Sequence, residues 1–222
     1  TGNMWSYQRD IKCGEWFRAQ SINWIECPYN GVIRGAKNRK GWSQKWYRRM
    51  NAPVFDTVQC LKSVHKLSDN MNDGYQHINN QLSFTDIQVG GELESKRLLS
   101  HFLNKSCHEY IKKMSSPLTA FDACSRLSPH LSFGTISMRY LYQQVSKELK
   151  SMSPNEKKQF PFKSRSLRSF LSRLKWRCHF MQKLETQPDI EFNNLHPMTQ
   201  DIERSTNQTH FQQWKDGLTG FP

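Results

Sequence analysis

The sequence predicts a mainly α-helical protein that begins with a short α/β segment of one helix and one strand. Apolar residues recur at helical spacing over 92–114, 138–150 and 166–185, which is the pattern of helices with one buried face. The run 22–27 alternates apolar and polar residues in the way that a half-buried strand does. With 36% hydrophobic residues in 222, the chain can bury one compact core or slightly more.

The N-terminal segment contains the predicted α/β elements. Residues 4–20 place Tyr7 and Ile11 on one face of an amphipathic helix, for which Ser6 is a candidate cap. The strand at 22–27 follows it directly. Because a lone helix and a lone strand cannot complete a sheet, we expect this segment to end an α/β domain that starts earlier in a longer protein.

A polar region separates this segment from the remaining helices. Residues 51–91 are rich in Asn, Asp, Ser, Gln and Gly with scattered aliphatic residues, which is typical of a long linker. We therefore predict three parts: the end of an α/β domain at 1–35, an interdomain linker at 36–90 and a helical domain at 91–222.

The helical part carries clear apolar stripes. The run 92–114 places Leu98, Phe102 and Leu103 on one face of a predicted helix. A Ser/Pro/Lys-rich spacer at 151–165 and a last short helix at 207–217 are also predicted. The helix at 166–185 has a predicted core stripe, from which Trp176 and Phe180 point away. The stripe consists of Leu167, Phe170, Leu171, Leu174, Cys178 and Met181.

The composition favours a polyanionic partner. Thirty-two Lys and Arg against 19 Asp and Glu give a formal net charge of +13, which attracts nucleic acid first and an anionic cofactor second; alternatively, the charge serves only solubility. The six cysteines show no zinc-ligand spacing, so we expect reduced thiols and no metal site. No apolar run approaches bilayer length, so we expect a soluble cytoplasmic protein without a membrane partner.

The stretch CSRLSPHLSFGTIS, residues 124–137, is rich in short hydroxyls and lies between two predicted helices. A turn that opens a helix presents unpaired backbone N–H groups, and hydroxyls add donors, so Ser125 and Ser128 are candidates for binding a phosphate. The alternative is structural: one of these serines caps the helix, and Pro129 occupies its first turn.

The pair Trp176-Arg177 allows two similar interpretations. An indole beside a guanidinium can stack on a base while the cation holds a phosphate. Alternatively, Trp176 pairs with Phe180 to pack another helix. Residues 157–183 contain nine basic residues and no acidic one, which favours a polyanion nearby, although such runs also occur on solvated surfaces.

In chain order, these motifs resemble the photolyase/cryptochrome family of flavoproteins. The resemblance rests on WIECPYNGVIR at 24–34, SRLSPHLSFGTIS at 125–137, FLSRLKWR at 170–177 and WKDGLTGFP at 214–222. It implies the end of an antenna domain and the first half of a helical FAD-binding domain. The implied activity is light-driven electron donation from reduced FAD to a pyrimidine dimer in DNA, with a further antenna chromophore in the full-length protein and no activity for this part alone.

The resemblance also implies roles for individual residues. Tyr110 lies against FAD, and Phe170 and Arg177 line the same pocket, with Arg177 as a charge-assisted partner of a phosphate. Trp176 faces the cavity for a flipped lesion, with Arg173 beside it. Five consecutive residues hold the FAD phosphates through hydroxyl and backbone N–H groups. These are Cys124, Ser125, Arg126, Leu127 and Ser128.

Three positions depart from the family pattern. Cys124 replaces a hydroxyl residue, Arg173 stands where many dimer-repairing members carry glutamate, and Arg204 stands where many members carry a tryptophan of the electron-transfer chain. These departures leave two further functions open. One is a blue-light photoreceptor that binds FAD and signals through a protein partner without repair, and the other is a helical nucleic-acid-binding module.

Overall fold

The computed structural model describes residues 3–28, 30–55, 60, 87–203 and 205–221. Within these ranges the chain is built from helices and contains no strand, so the mainly α-helical prediction is confirmed. The helices are α1 (Met4–Ala19), α2 (Trp42–Met50), α3 (Glu92–Asn104), α4 (Tyr110–Lys113), α5 (Ala120–Ala123), α6 (Ser128–Phe133), α7 (Met138–Ser151), α8 (Pro154–Gln159), α9 (Lys163–Thr186) and α10 (Gln208–Lys215). Short 3-10 turns lie at Ser106–His108, Pro188–Glu191 and Pro197–Thr199.

The chain folds into two compact units. One consists of Thr1–Trp24 with Lys183–Pro222, and the other of Ile25–Gln182. In the first unit, α1 packs against the turn Pro188–Glu191, and the Met4 N–H donates to the Glu191 carboxylate. The second unit holds the hydrophobic core. Its largest fully buried side chains are Trp46, Phe102, Met50, Leu127, Met138, Leu141 and Leu167.

The long helix α9 confirms the predicted core stripe. All six residues of the stripe lie in the core or pack against it. Trp176 and Phe180 lie off the stripe and are 51% and 58% exposed. This separation follows from the 3.6-residue period of the helix, which turns these two side chains away from the buried face.

The N-terminal segment forms its helix but not its strand. The run 22–27 has no strand pairing and is exposed to solvent, because a strand needs a neighbouring backbone and the described residues offer it none. A cap at Ser6 would start the helix at residue 7, but α1 begins about one turn earlier, at Met4. Asn3 is its cap, and Ser6 occupies the third helical position of a capping box with Asn3.

The prediction of one continuous helix over residues 92–114 is wrong. The helix breaks after α3, at Lys105, and continues as a 3-10 turn before α4. The Ser106 hydroxyl donates to the Asp122 carbonyl oxygen at 3.0 Å, and the Cys107 thiol donates to that of Leu103 at 3.0 Å. Ser106 and Cys107 are buried, and the bond from Ser106 to Asp122, sixteen residues away, joins the break to α5.

The predicted spacer at 151–165 contains a helix. In α8, the Ser153 hydroxyl accepts the Glu156 N–H, the Glu156 carboxylate accepts the Ser153 N–H, and Pro154 occupies the first helical position. This capping box starts a helix in a segment that lacks an apolar stripe. The predicted last helix is confirmed as α10, which Asn207 caps.

Most of the predicted linker at 36–90 lies outside the described residues, apart from the ranges 36–55 and 87–90 and residue 60. The division at 35 and at 90 therefore stays a prediction. Among the helices of the described residues, none combines the length and the apolar character needed to cross a membrane.

Candidate functional site

The junction between α5 and α6 is a tight turn of unusual backbone conformation. Arg126 has a φ of +59°, in the left-handed region that residues other than glycine rarely adopt. The Gln88 side chain donates to the Arg126 carbonyl oxygen at 2.7 Å, which helps to hold the turn. The cap position of α6 is Leu127, which offers no side-chain acceptor to the first helical turn.

The structural alternative is half confirmed: Pro129 lies in the first turn of α6, but neither serine caps the helix. Ser128 is the first residue of α6 rather than its cap. The Ser125 hydroxyl accepts the Leu127 N–H at 3.4 Å, which is a long bond within the turn. Since no side chain of the described residues caps α6, the Ser128 N–H keeps its capacity to bind an external acceptor, whereas Pro129 has no N–H to offer.

A cavity of about 580 Å³ opens beside this junction, and we call it the basic cleft. Three of the predicted phosphate-binding residues line it: Cys124, Ser125 and Arg126. Its other charged and ionisable lining residues come from α3, α4, α5 and the turn between α3 and α4. They are Arg97, His101, Lys105, Glu109, Lys113 and Asp122.

Two cations of the basic cleft are already paired with carboxylates. Arg97 binds the Glu94 carboxylate at 2.7 Å, and Lys113 binds that of Glu109. In the described part of the chain, no carboxylate lies within ion-pair distance of Lys105 or Arg126. The charge of these two residues is therefore available to an anion.

The Arg126 side chain lies over an aromatic ring. Its guanidinium carbon lies 4.1 Å from the centroid of the exposed Phe121 ring, a cation–π distance. Phe121 also lines the basic cleft. The contact therefore fixes a cation at the edge of the cleft.

Tyr110 and Phe170 lie in the hydrophobic core and do not line the basic cleft. The Phe102 ring contacts both, with centroid distances of 5.6 Å to Tyr110 and 4.6 Å to Phe170. Burial raises the pKa of the Tyr110 hydroxyl, the Cys124 thiol adds to the rise, and the Arg173 guanidinium opposes it. The fold thus brings Tyr110 close to Cys124 and Arg173.

Arg177 connects α9 to α6. One guanidinium nitrogen donates to the Leu131 carbonyl oxygen at 3.5 Å, and the side chain is half-buried. The predicted phosphate partner therefore reaches the helix that follows the junction, although it does not line the basic cleft.

Arg173 and Trp176 form an exposed pair on α9. The guanidinium carbon of Arg173 lies 5.2 Å from the centroid of the Trp176 ring. The Phe180 ring meets Trp176 edge-to-face at 6.2 Å. Because both rings remain more than half exposed, the alternative in which they pack another helix is not seen among the described residues.

Sequence reasoning missed the basic side chains that α3, its C-terminal cap residue and α4 bring to the basic cleft. Arg97, His101 and Lys105 follow each other at intervals of four residues, so they share one face of a helix. This spacing was a usable signal. Lys113 carried no such signal, because it reaches the cleft only through the break after α3.

Comparisons with known proteins agree with the motif order. The family profile described as "FAD binding domain of DNA photolyase" matches residues 170–222. The deoxyribodipyrimidine photo-lyase of Buchnera aphidicola is 32% identical over 176 residues, which cover 79% of this chain and 31% of that protein. The cryptochrome DASH of Solanum lycopersicum is 27% identical over 135 residues, which cover 60% of this chain and 22% of that protein.

This chain can also be aligned with the crystal structure of a bacterial class III photolyase from Agrobacterium tumefaciens. The alignment covers 62% of this chain and 26% of the photolyase chain, with a TM-score of 0.48 and 24% sequence identity. The chain spans about a third or less of the length of the curated relatives that it matches. The family profile, the curated relatives and the motifs in the sequence all support the photolyase/cryptochrome family for this chain.

Proposed function

We propose that this chain supplies part of the FAD pocket of a photolyase, a lyase that repairs pyrimidine dimers in DNA in the light. The observation that carries the proposal is the profile match, which starts at Phe170 within α9 and continues to residue 222. The predicted pocket and lesion residues Arg173, Trp176 and Arg177 lie on the same helix. The FAD prediction is confirmed at the level of the family domain.

The residues of the basic cleft fit the diphosphate of FAD. Lys105 and Arg126 provide cations that no carboxylate of the described chain neutralises, and Ser125 adds a hydroxyl. The uncapped start of α6 lies two residues further along the chain. Cationic side chains, hydroxyls and backbone N–H groups together are the donor set that phosphate groups prefer.

Cys124 is a weak hydrogen-bond donor beside this set. Burial raises the pKa of its thiol above the ordinary value, while the Arg126 guanidinium opposes the rise. The side chain is therefore a neutral thiol at physiological pH, and a thiol is a weak hydrogen-bond donor. It adds no repulsive charge to a phosphate and contributes little attraction.

Each remaining site residue has a role that follows from its position. When bound, reduced FAD supplies the electron for dimer cleavage in light. Arg177 holds the α6 backbone through Leu131, which keeps the phosphate-binding turn in place. Trp176 presents an exposed indole on which an unstacked pyrimidine can lie. Tyr110 and Phe170 exclude water from the core next to the turn.

Flavin retention tests the cofactor part of the proposal. The full-length protein is expected to purify with flavin absorption bands or to acquire them when FAD is added. Arg177→Ala should weaken FAD retention more than Arg165→Ala, because Arg165 is exposed at the start of α9. Equal retention would remove Arg177 from the pocket, and a colourless protein after FAD addition would overturn the cofactor assignment in favour of a helical nucleic-acid-binding module.

Restoration of damaged DNA tests the enzymatic part. Under blue light, the flavin-loaded protein should convert dimer-containing DNA to intact pyrimidines, and its affinity for DNA should fall steeply with salt concentration. A flavin-loaded protein that leaves dimers unchanged in light would overturn repair.

One observation favours the photoreceptor as a second candidate. Arg173 places a guanidinium against the Trp176 ring, where many dimer-repairing relatives carry a carboxylate. A cation there lacks the acceptor oxygens of glutamate. Arg173→Glu separates the two candidates: it should raise repair if the chain retains repair chemistry, and it should have no effect on repair in a pure photoreceptor.

A further inference from the structure

The turn between α5 and α6 has a backbone conformation that suits an anion. Arg126 lies in the left-handed region, with a φ of +59°, and Leu127 follows in the right-handed region, with a φ of −88° and a ψ of −2°. Consecutive residues of opposite hand turn their N–H groups towards one side and form a concave anion site, which is called a nest. In the part of the chain that the structure describes, the Arg126 and Ser128 N–H groups donate to no other group. The nest therefore has N–H groups to offer to a ligand.

The left-handed conformation is unfavourable for arginine. In that region the Cβ of an L-residue lies too close to the following carbonyl oxygen, and such residues persist only where their surroundings hold them. Among the described residues other than glycine, Ser21 and Arg126 have a positive φ, and Arg126 is the one that lines the basic cleft. The contacts that hold Arg126 are therefore part of how the site is built.

A hydrogen bond from Gln88 holds the backbone of Arg126. The Gln88 side-chain amide donates to the Arg126 carbonyl oxygen at 2.7 Å. That carbonyl group belongs to the same planar peptide unit as the Leu127 N–H, and in a trans unit the two point in opposite directions. The bond therefore fixes the direction of the Leu127 N–H, the central donor of the nest. Within the turn this N–H makes only a long bond, of 3.4 Å, to the Ser125 hydroxyl.

The rest of α6 is held in the same way, by side chains that donate to its carbonyl groups. The buried Ser95 hydroxyl of α3 donates to the Thr135 carbonyl oxygen at 3.1 Å, and Arg177 of α9 donates to that of Leu131. Gln88 lies just before α3 in the chain, so its bond ties the start of α3 to the turn. Both α3 and the turn line the basic cleft.

We propose that Gln88 is a positioning residue for the diphosphate of FAD, because it keeps Arg126 left-handed and so preforms the nest before the cofactor binds. Gln88 does not line the basic cleft, so it acts through the turn and not by touching a phosphate. A preformed site binds more tightly because it is already ordered, and a site that is competent only part of the time loses affinity in proportion. The inference rests on the function proposed above and adds a residue to it.

Titration of the full-length protein with FAD, followed by flavin fluorescence, tests the proposal. Gln88→Ala should raise the dissociation constant about three- to tenfold, which is the loss of one hydrogen bond. In an Arg126→Gly background the same change should have almost no effect, because glycine adopts the left-handed conformation without steric cost. In an Arg126→Lys background, which keeps both the cation and the unfavourable backbone, it should have the full effect.

Gln44→Ala is the matched control, since it removes an exposed glutamine side chain of α2 that does not line the cleft. It should bind FAD as the parent does, and circular dichroism confirms that each variant folds. The proposal is overturned if Gln88→Ala binds FAD as tightly as this control. It is also overturned if Gln88→Ala weakens binding equally in the Arg126→Gly and Arg126→Lys backgrounds, because a general loss of structure would do so.

The proposed function fails separately from the role of Gln88. Thermal melting without FAD measures the same coupling: Gln88→Ala should lower the melting temperature in the parent and in the Arg126→Lys background, and less in the Arg126→Gly background. A parent protein that binds no FAD would overturn the proposed function, even where the melting temperatures show that Gln88 holds the turn. A parent that binds FAD while positions 88 and 126 act independently would overturn the role of Gln88 alone.

Discussion

The basic cleft and a second cavity of about 590 Å³ between α2, α7 and α9, here called the aromatic groove, have nearly equal volumes but opposite linings. The cleft has four Lys and Arg side chains, two carboxylates and one aromatic ring, Phe121, apart from its histidine. Among the described residues that line it, the groove has five such rings, two cations and no carboxylate. Charged side chains therefore dominate the lining of the cleft, and aromatic rings dominate that of the groove.

The two sites also differ in how the chain builds them. The basic cleft comes from one stretch, 97–126, so helix breaks and turns close together in sequence shape it. The aromatic groove joins α2, α7 and α9, which are far apart in sequence. We therefore expect changes in core packing to affect the groove broadly, whereas single charges should tune the cleft.

The largest expected effect comes from Phe102→Ala. The ring is fully buried and contacts Phe170 at 4.6 Å, so it joins α3, which lines the cleft, to α9, which lines the groove. Truncating a buried phenylalanine costs about 3–5 kcal/mol. Urea unfolding should show this loss, whereas Phe133→Ala should change stability little. An equal loss in both variants would show that Phe102 is not a shared support.

A smaller effect, confined to the groove side, is expected for Gly31→Ala. A Cβ at this position would lie 2.0 Å from Cδ1 of the buried Trp46 ring, and overpacking of this kind costs about 1–3 kcal/mol. Shifting Trp46 disturbs the packing of α2, so the melting temperature should fall while FAD binding stays unchanged.

Gly14→Ala is the matched control for the change at Gly31. A Cβ at Gly14 would meet no atom within 4 Å, and alanine favours a helix more than glycine does. The melting temperature should therefore hold or rise. A fall as large as that of Gly31→Ala would contradict the steric explanation.

Regular periodicity was the part of the fold that could be predicted from the sequence. The stripe of α9 is local and repeated, so its burial followed from spacing alone. The strand at 22–27 failed because a strand depends on a partner that local sequence does not reveal. The break at Lys105 depends on the hydroxyl of Ser106 reaching Asp122, sixteen residues away, which no spacing rule encodes.

In the candidate site, too, local features could be predicted from the sequence, whereas features that depend on tertiary packing could not. The hydroxyls predicted Ser125 and Ser128 as phosphate-binding residues, and the resemblance extended the set to 124–128. Cys124, Ser125 and Arg126 line the basic cleft, and their binding of phosphate stays a prediction. The left-handed conformation of Arg126 was not predictable, since glycine rather than arginine signals it. The aromatic groove was missed because tertiary packing alone brings α2 beside α9.

A single unpaired cation should set much of the anion affinity of the basic cleft. Lys105→Ala removes one cation that no described carboxylate neutralises, so the dissociation constant of FAD should rise about three- to tenfold. Titration followed by flavin fluorescence measures this. Lys158→Ala removes an equal charge outside the cleft and should leave the dissociation constant unchanged. An equal rise in both variants would show that general surface charge, and not the cleft, sets the affinity for FAD.

The smallest expected effect distinguishes a paired cation from a free one. In Glu94→Gln, Arg97 loses the carboxylate that binds it at 2.7 Å, so its guanidinium becomes available to the cleft and FAD should bind about twofold more tightly. The control Glu92→Gln releases Lys96, which does not line the cleft, and should not change binding.

The gain from Glu94→Gln should also depend on pH. Hydrogen bonds from Arg97 hold the pKa of the Glu94 carboxyl below its ordinary value, so the pair is intact at neutral pH and is lost as the pH falls through that lowered pKa. Below it the parent also carries an uncharged side chain at position 94, and the two proteins should bind FAD alike. A gain that persists unchanged in acid would show that the substitution acts through the shape of the cleft and not through the charge of Arg97.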